Sequence, residues 1–135
     1  MMQSSPTTAL LNKALVDAHK LISNPVKNKV NPHFKNRYAD LEATTACVRE
    51  SLLLCGLTVV QLPCGDGMAT RLLHVSGEWL ESTTYFSEEN PQKYGSALTY
   101  FRRYALQGLG FIVAEDDDDA ELASKEETKK VKEEW

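Results

Sequence analysis

The fold class is decided by the stretch that runs from residue 57 to residue 86, LTVVQLPCGDGMATRLLHVSGEWLESTTYF. Three parts of it, at 57–63, 68–75 and 78–86, are rich in the β-branched and aromatic residues that favour strands. The turn signals PCGDG and SG separate these parts. The pattern predicts a three-stranded antiparallel meander.

Helical periodicity flanks this meander on both sides. Before it, apolar residues recur at helical spacing over 6–23 and over 40–55, and Asp40 is a good cap for the second of these helices. After it, Asn90 is the cap of a third helix over 91–107. The sequence therefore predicts a small α+β domain of order α-α-β-β-β-α, with the antiparallel sheet packed against the helices.

The charges divide the chain into two parts. Residues 1–113 contain 11 basic and 9 acidic residues, whereas residues 114–135 contain 4 and 10. The second part is also poor in apolar residues, a composition typical of mobile segments. We predict a core domain at 1–113 and an acidic, charged, flexible tail at 114–135.

Several protein classes are disfavoured by composition. The longest mostly apolar run, at 52–62, is too short for a bilayer, which requires about 20 apolar residues. The first residues, MMQSSPTTALL, lack the basic and apolar regions of a signal peptide. The three cysteines, Cys47, Cys55 and Cys64, form no CxxC pair and are expected to be reduced. The sequence predicts a cytoplasmic protein without membrane contact.

A basic connection, VKNKVNPHFKNRY at 26–38, lies between the first two helices. It alternates cations with rings, and no acidic residue occurs between Asp17 and Asp40. Proteins hold single-stranded nucleic acid in this way, with cations at the phosphates and rings against the bases. The alternative is a solvated loop that its rings anchor to the core. The residues concerned are Lys27, Lys29, Lys35 and Arg37 with His33, Phe34 and Tyr38.

The third helix also combines rings with cations. At 100° per residue, an arc centred on Phe101 and Tyr104 should pack against the sheet. The outward face is then expected to carry Lys93, Tyr100 and Arg103, with Arg102 at the boundary. The same residues would equally suit an ordinary solvated helix face. For Arg102, a further alternative is that the aliphatic part of its side chain lies over the sheet and only the guanidinium group is exposed.

Signals for catalysis are weak. The GDG at 65–67 is a hairpin turn rather than a phosphate-binding loop, because no GK[ST] follows it. The run EDDDD at 115–119 could bind a divalent cation weakly. Consecutive aspartates in a flexible segment do not form a rigid two-metal site, so we predict no metal site, no cofactor and no enzymatic activity. Near a basic surface, this run could also act as a competing polyanion.

Three blocks together resemble the ERF (essential recombination function) family of phage single-strand annealing proteins. They are NPHFKNRYADL at 31–41, GSALTYFRRYAL at 95–106 and AEDDDDAE at 114–121. They occur in the family's order, and the resemblance covers roughly residues 8–121. It implies an ATP-independent protein of DNA recombination and repair that coats single-stranded DNA, pairs complementary strands and assembles into rings or filaments. The positions carried over are Lys35, Arg37, Tyr38, Tyr100, Arg102, Arg103 and Tyr104.

The residues and the resemblance lead to one prediction. The protein is expected to bind single-stranded DNA in the bacterial host cytoplasm and to anneal strands as a homo-oligomer, with its tail as a candidate contact for a host single-strand-binding protein. Alternatives are a passive single-strand-binding module, a nuclease using the aspartate run, and an adaptor working through the tail. The predicted DNA-binding residues are Lys27, Lys29, Lys35, Arg37, Phe34, Tyr38, Lys93, Tyr100, Arg102 and Arg103.

Overall fold

A four-stranded antiparallel sheet carries three helices in the computed structural model, which describes residues 2–116. The six strands are Met2–Ser4 (β1), Lys29–Val30 (β2), Arg37–Tyr38 (β3), Leu57–Cys64 (β4), Gly67–His74 (β5) and Trp79–Tyr85 (β6). The helices are Ala9–Leu21 (α1), Leu41–Leu54 (α2) and Pro91–Gly110 (α3). The large sheet has the order β1-β6-β5-β4, and β2 and β3 form a separate two-stranded sheet.

The predicted meander is confirmed. β4, β5 and β6 pair as consecutive antiparallel neighbours, with Val60 opposite Arg71 and Arg71 opposite Glu81. Since alternate residues of a strand point to opposite faces, one face of the sheet presents Leu72 and Met68 to the helices, and both are buried. The α+β class follows from this packing.

The sheet contains one strand more than the sequence predicted. β1 pairs with β6, so that Met2 lies opposite Ser82 and Ser4 opposite Leu80. A strand of three residues is too short to show an alternation of apolar and polar residues, and its partner strand lies at the far end of the meander. Local sequence therefore could not reveal it.

The start of α1 differs from the prediction for a physical reason. The helix begins at Ala9 instead of residue 6, because Ser5 is buried beside β6, where its hydroxyl accepts a hydrogen bond from the Trp79 amide at 2.9 Å. The Leu11 amide donates to the carboxylate of Glu78 at 2.7 Å, and this bond holds the pKa of Glu78 below its usual value. A carboxylate from the β5–β6 turn thus satisfies a free amide of the first helical turn.

The caps of the other two helices are confirmed. The Asp40 carboxylate accepts from the Ala43 amide at 2.9 Å, and the Asn90 side chain accepts from the amides of Gln92 and Lys93. α3 continues to Gly110, beyond its predicted end at 107, and stops at Phe111, whose φ of 52° is left-handed.

The core lies between the sheet and the three helices. Its buried side chains come from every layer, and they include Leu11, Val48, Leu52, Leu57, Leu72 and Leu106. The buried residues of α3 are Leu106 and Gly110, whereas Phe101 and Tyr104 are half-buried. The predicted inner arc of α3 was displaced because α3 packs on α2 as well as on the sheet. In the part of the chain that the structure describes, no helix is long and apolar enough to cross a membrane.

Two glycines of α3 give a matched test of this packing. A Cβ at position 110 would lie 2.7 Å from Val48 Cγ1, whereas a Cβ at position 108 would meet nothing within 4 Å. Gly110→Ala should lower the free energy of unfolding by about 1–3 kcal/mol through overpacking. Gly108→Ala should raise it by up to about 1 kcal/mol through helix propensity. Urea denaturation measures both, and equal effects would contradict the close approach of α3 to α2.

Candidate nucleic-acid interface

The basic connection forms a ribbon rather than an open loop. We call residues 27–38 the basic ribbon. Its strands pair with Lys29 opposite Tyr38, and the Asn31 side chain accepts hydrogen bonds from the amides of His33 and Phe34 across the turn. Lys35 adopts a left-handed conformation, with a φ of 57°. Lys29 of β2 is exposed, as are Phe34 and Lys35 of the turn.

A short segment near the start of the predicted tail pairs with this ribbon. The Ala39 amide donates to the Ala114 carbonyl at 2.7 Å, and the Asp116 amide donates to the Arg37 carbonyl at 2.9 Å. Ala114 is buried, so residues 114–116 pack against the domain. Residues 117–135 lie outside the described residues, and the division into core 1–113 and flexible tail 114–135 stays a prediction.

This pairing places the Glu115 carboxylate against α3. It accepts hydrogen bonds from Arg103 Nη2 at 2.9 Å, from the Tyr104 hydroxyl at 2.9 Å and from Gln107 Nε2 at 3.3 Å. The Arg103 and Glu115 side chains are only 13% and 15% exposed. Burial raises the pKa of Tyr104, and its hydrogen bonds with Tyr100 and Glu115 raise it further, so the phenol stays a neutral donor. We call these residues of α3 with Glu115 the Glu115 cluster.

Rings surround the guanidinium group of Arg103. Its central carbon lies 4.6 Å from the ring centre of Tyr38, 5.4 Å from that of Tyr100 and 5.3 Å from that of Tyr104. The sequence placed Arg103 on an outward helix face, and this placement was wrong. Segment 114–116 covers that face, and helical periodicity carries no information about such a partner. A role for Arg103 in DNA binding stays a prediction.

Asp116 binds two of the ribbon's cations. Its carboxylate lies 2.7 Å from Lys27 Nζ and 3.5 Å from Arg37 Nε, and it accepts from the Arg37 amide at 2.7 Å. The hydrogen bond from Lys27, together with that from the Arg37 amide, lowers the pKa of Asp116 from its ordinary 3.8 to about 2. Asp116 thus forms ion pairs with two cations that were predicted to bind DNA.

The remaining predicted residues are distributed unevenly. Tyr100 is 48% exposed beside the Glu115 cluster. Lys29 and Lys35 form no ion pair with any described residue. Arg102 lies on another side of α3, where its Nε is 3.4 Å from Gln61 Oε1. Lys93 is ten residues before Arg103, which is about 15 Å along the helix axis, and so lies apart from the ribbon.

Sequence reasoning missed the acceptors that organise this region. Glu115 and Asp116 were assigned to the tail by their charge, and Gln107 was not singled out. The one available signal was the apolar run FIVA at 111–114, which indicates packing just before the acidic residues. Among residues 2–116, no group of three or more His, Cys, Asp or Glu side chains is arranged to hold a metal ion. Asp117–Asp119 of the aspartate run lie outside the described range.

Comparison with protein families gives one finding. The model of the ERF superfamily matches residues 11–134, which is most of the chain. The chain therefore belongs to the ERF superfamily, whose members act in phage recombination and single-strand annealing. Comparisons with curated proteins and with solved structures each give no match.

The buried ion pair makes a prediction about stability. Arg103→Gln should lower the free energy of unfolding by roughly 3 kcal/mol, because it leaves the Glu115 charge enclosed without its cation. Urea denaturation of Arg103→Gln, Glu115→Gln and the double variant measures the coupling. The double variant should be less destabilised than the two single effects together. Strict additivity would mean that the pair contributes nothing.

The depressed pKa of Asp116 makes a prediction about acid stability. Because this pKa is lower in the folded chain, Asp116 stabilises the fold fully above about pH 4, and its contribution disappears as the pH falls to about 2. The free energy of unfolding of wild type and of Asp116→Asn should therefore differ at pH 5 and converge near pH 2. A difference that stays constant over this range would refute the pairing with Lys27 and Arg37.

Proposed function

We propose that this member of the ERF superfamily binds single-stranded DNA and speeds the pairing of complementary strands without ATP. One observation carries the proposal. Two of the sequence blocks that resemble the family, at 31–41 and 95–106, meet the described start of the third, residues 114–116, where Arg103 contacts both Tyr38 and Glu115. Residues far apart in sequence thereby form one surface of cations and rings, which suits a flexible polyanion with stackable bases.

The phosphate contacts are proposed for the cations that remain accessible. Lys29 and Lys35 are exposed and form no ion pair with a described residue, and the Arg37 side chain is 65% exposed although Asp116 binds it. These groups can exchange condensed counterions for the phosphates of a strand. Arg103 is better suited to hold the ribbon against α3, because its charge is already neutralised by Glu115.

The base contacts are proposed for rings near these cations. Tyr100 is 48% exposed and Phe34 is 39% exposed, and Tyr38 lies between the ribbon and α3. A base stacked on such a ring contributes about 1–3 kcal/mol with little sequence preference. Contacts of this kind hold a strand while leaving its pairing edges accessible.

Annealing of this type requires no nucleotide hydrolysis. Duplex formation is favourable by about 1.4 kcal/mol per base-pair step, so a protein accelerates it by concentrating and aligning strands. We propose assembly through the outer edges of β1 and β4, whose backbone groups have a sheet partner on one side only. The bacterial cytoplasm and a host single-strand-binding protein remain proposals for location and tail partner, and the tail lies outside residues 2–116.

Strand annealing tests the proposal. Two complementary labelled oligonucleotides are mixed with the protein in the absence of ATP, and duplex formation is followed against a protein-free control. Wild type should accelerate pairing. Lys29→Gln combined with Lys35→Gln should weaken binding. The slope of the logarithm of the binding constant against the logarithm of the salt concentration should decrease in magnitude by about 1.4, or 0.7 per lost phosphate contact. Lys13→Gln combined with Lys20→Gln removes the same charge from α1, where Asp17 binds both lysines, and should leave the slope unchanged.

The other outcomes separate the alternatives. Tight binding without faster pairing would identify a passive single-strand-binding module. Labelled DNA that is degraded in the presence of Mg²⁺ would identify a nuclease. Light scattering on the same samples measures the mass, and a 15.1 kDa monomer both with and without DNA would contradict assembly.

A further inference from the structure

A second basic site lies on another side of α3, away from the ribbon. It is a cleft of about 150 Å³ between α2, β4 and α3. Its apolar floor includes Val48, Leu52 and Leu106, and its polar lining includes Arg49, Arg102 and Thr45. Pockets for whole small molecules usually measure about 300–1,000 Å³, so this cleft fits a single compact group.

The arginines of the described chain differ in their partners. Arg37, Arg71 and Arg103 each form an ion pair, with Asp116, Glu81 and Glu115 respectively. Arg49 and Arg102 form none within residues 2–116, and both line this cleft. The uncompensated guanidinium charge of this region is therefore concentrated at one place, where an anion would be attracted.

Arg102 is held in position by a glutamine of β4. Gln61 Nε2 donates to the Arg102 carbonyl at 3.1 Å and to Thr70 Oγ1 at 3.2 Å, and its Oε1 lies 3.4 Å from Arg102 Nε. These contacts involve only the Nε edge of the guanidinium group. The terminal amino groups keep their donors for a ligand, and a guanidinium group presents such donors in the geometry that suits phosphate.

The cleft and the ribbon are linked through consecutive residues of α3. Arg103 contacts Tyr38 of the ribbon at 4.6 Å, and Arg102, its neighbour in the helix, lines the cleft. Consecutive Cα atoms are about 3.8 Å apart, and their side chains leave the helix about 100° apart. A strand that follows the ribbon towards α3 can therefore reach the cleft by passing over this part of the helix.

We propose that the cleft binds one phosphate group of a DNA single strand between the guanidinium groups of Arg49 and Arg102. This inference rests on the proposed function and adds to it a residue, Arg49, that none of the three sequence blocks contains. The phosphate oxygens accept from both guanidinium groups, and the hydroxyl of Thr45 at the lining is a further donor.

The test compares Arg49→Gln with Lys13→Gln, which removes the same charge from an exposed position on α1. Binding of a labelled oligothymidylate is measured by fluorescence anisotropy over a series of salt concentrations. Arg49→Gln should weaken binding roughly tenfold at low salt, and the logarithmic salt slope should fall by about 0.7. Lys13→Gln should keep the wild-type slope. Arg49→Lys should keep the slope and lose part of the affinity, because lysine lacks the guanidinium fork.

Each other outcome has a definite meaning. If wild type binds and anneals DNA while Arg49→Gln, with an unchanged melting temperature, has the same affinity and slope, the cleft proposal is wrong and the proposed function stands. If Arg49→Gln instead changes only the mass measured by light scattering, the cleft holds a carboxylate of a second copy, which also overturns the proposal. If wild type fails to bind the oligonucleotide at low salt, both proposals are wrong.

Discussion

The burial of the Glu115 carboxylate is the constraint on which the interface depends. A carboxylate that is 15% exposed has lost most of its hydration, and this cost must be offset by donors in place. α3 supplies three of them: the guanidinium and the phenol of the adjacent residues Arg103 and Tyr104, and the amide of Gln107 about one turn later. Because Glu115 also lies opposite Tyr38, satisfying this one acid fixes the basic ribbon, α3 and the chain after α3 relative to one another.

The same constraint decides which positive charges can reach a ligand. Arg103 is neutralised by Glu115, and Lys27 and Arg37 share Asp116, so three of the seven cations predicted to bind DNA pair with an acid of their own chain. Lys29 and Lys35 on the ribbon, with Arg49 and Arg102 at the cleft, form no ion pair with a described residue. A count of basic residues therefore overstates the positive charge that the ribbon offers to a ligand. Such a count also does not reveal the two arginines at the cleft.

Elements specified by neighbouring residues were predictable from the sequence, and elements specified by distant partners were not. The meander and the caps Asp40 and Asn90 depend on local patterns, and the structure contains them. Three other features each join residues that are far apart in sequence. They are the pairing of β1 with β6, the pairing of the ribbon with segment 114–116, and the contact of Glu78 with α1. The placement of Arg103 was wrong for this reason. A helical wheel separates the faces of a helix, but it does not show whether a face contacts solvent or, as here, Glu115, which lies 12 residues later in the chain.

The Asp116 carboxylate, which pairs with the ribbon, also bears on the proposed binding of a strand there. Asp116 reaches Lys27 and the Arg37 amide at 2.7 Å, a distance at which a phosphate oxygen would also sit. A phosphate that takes these donors must displace the carboxylate, so one anion replaces another and the net electrostatic gain is small. A phosphate at Lys29, Lys35 or the Arg49–Arg102 cleft displaces only solvent and counterions. In the proposed function, the binding free energy should therefore come mainly from the cations that form no ion pair within the described chain.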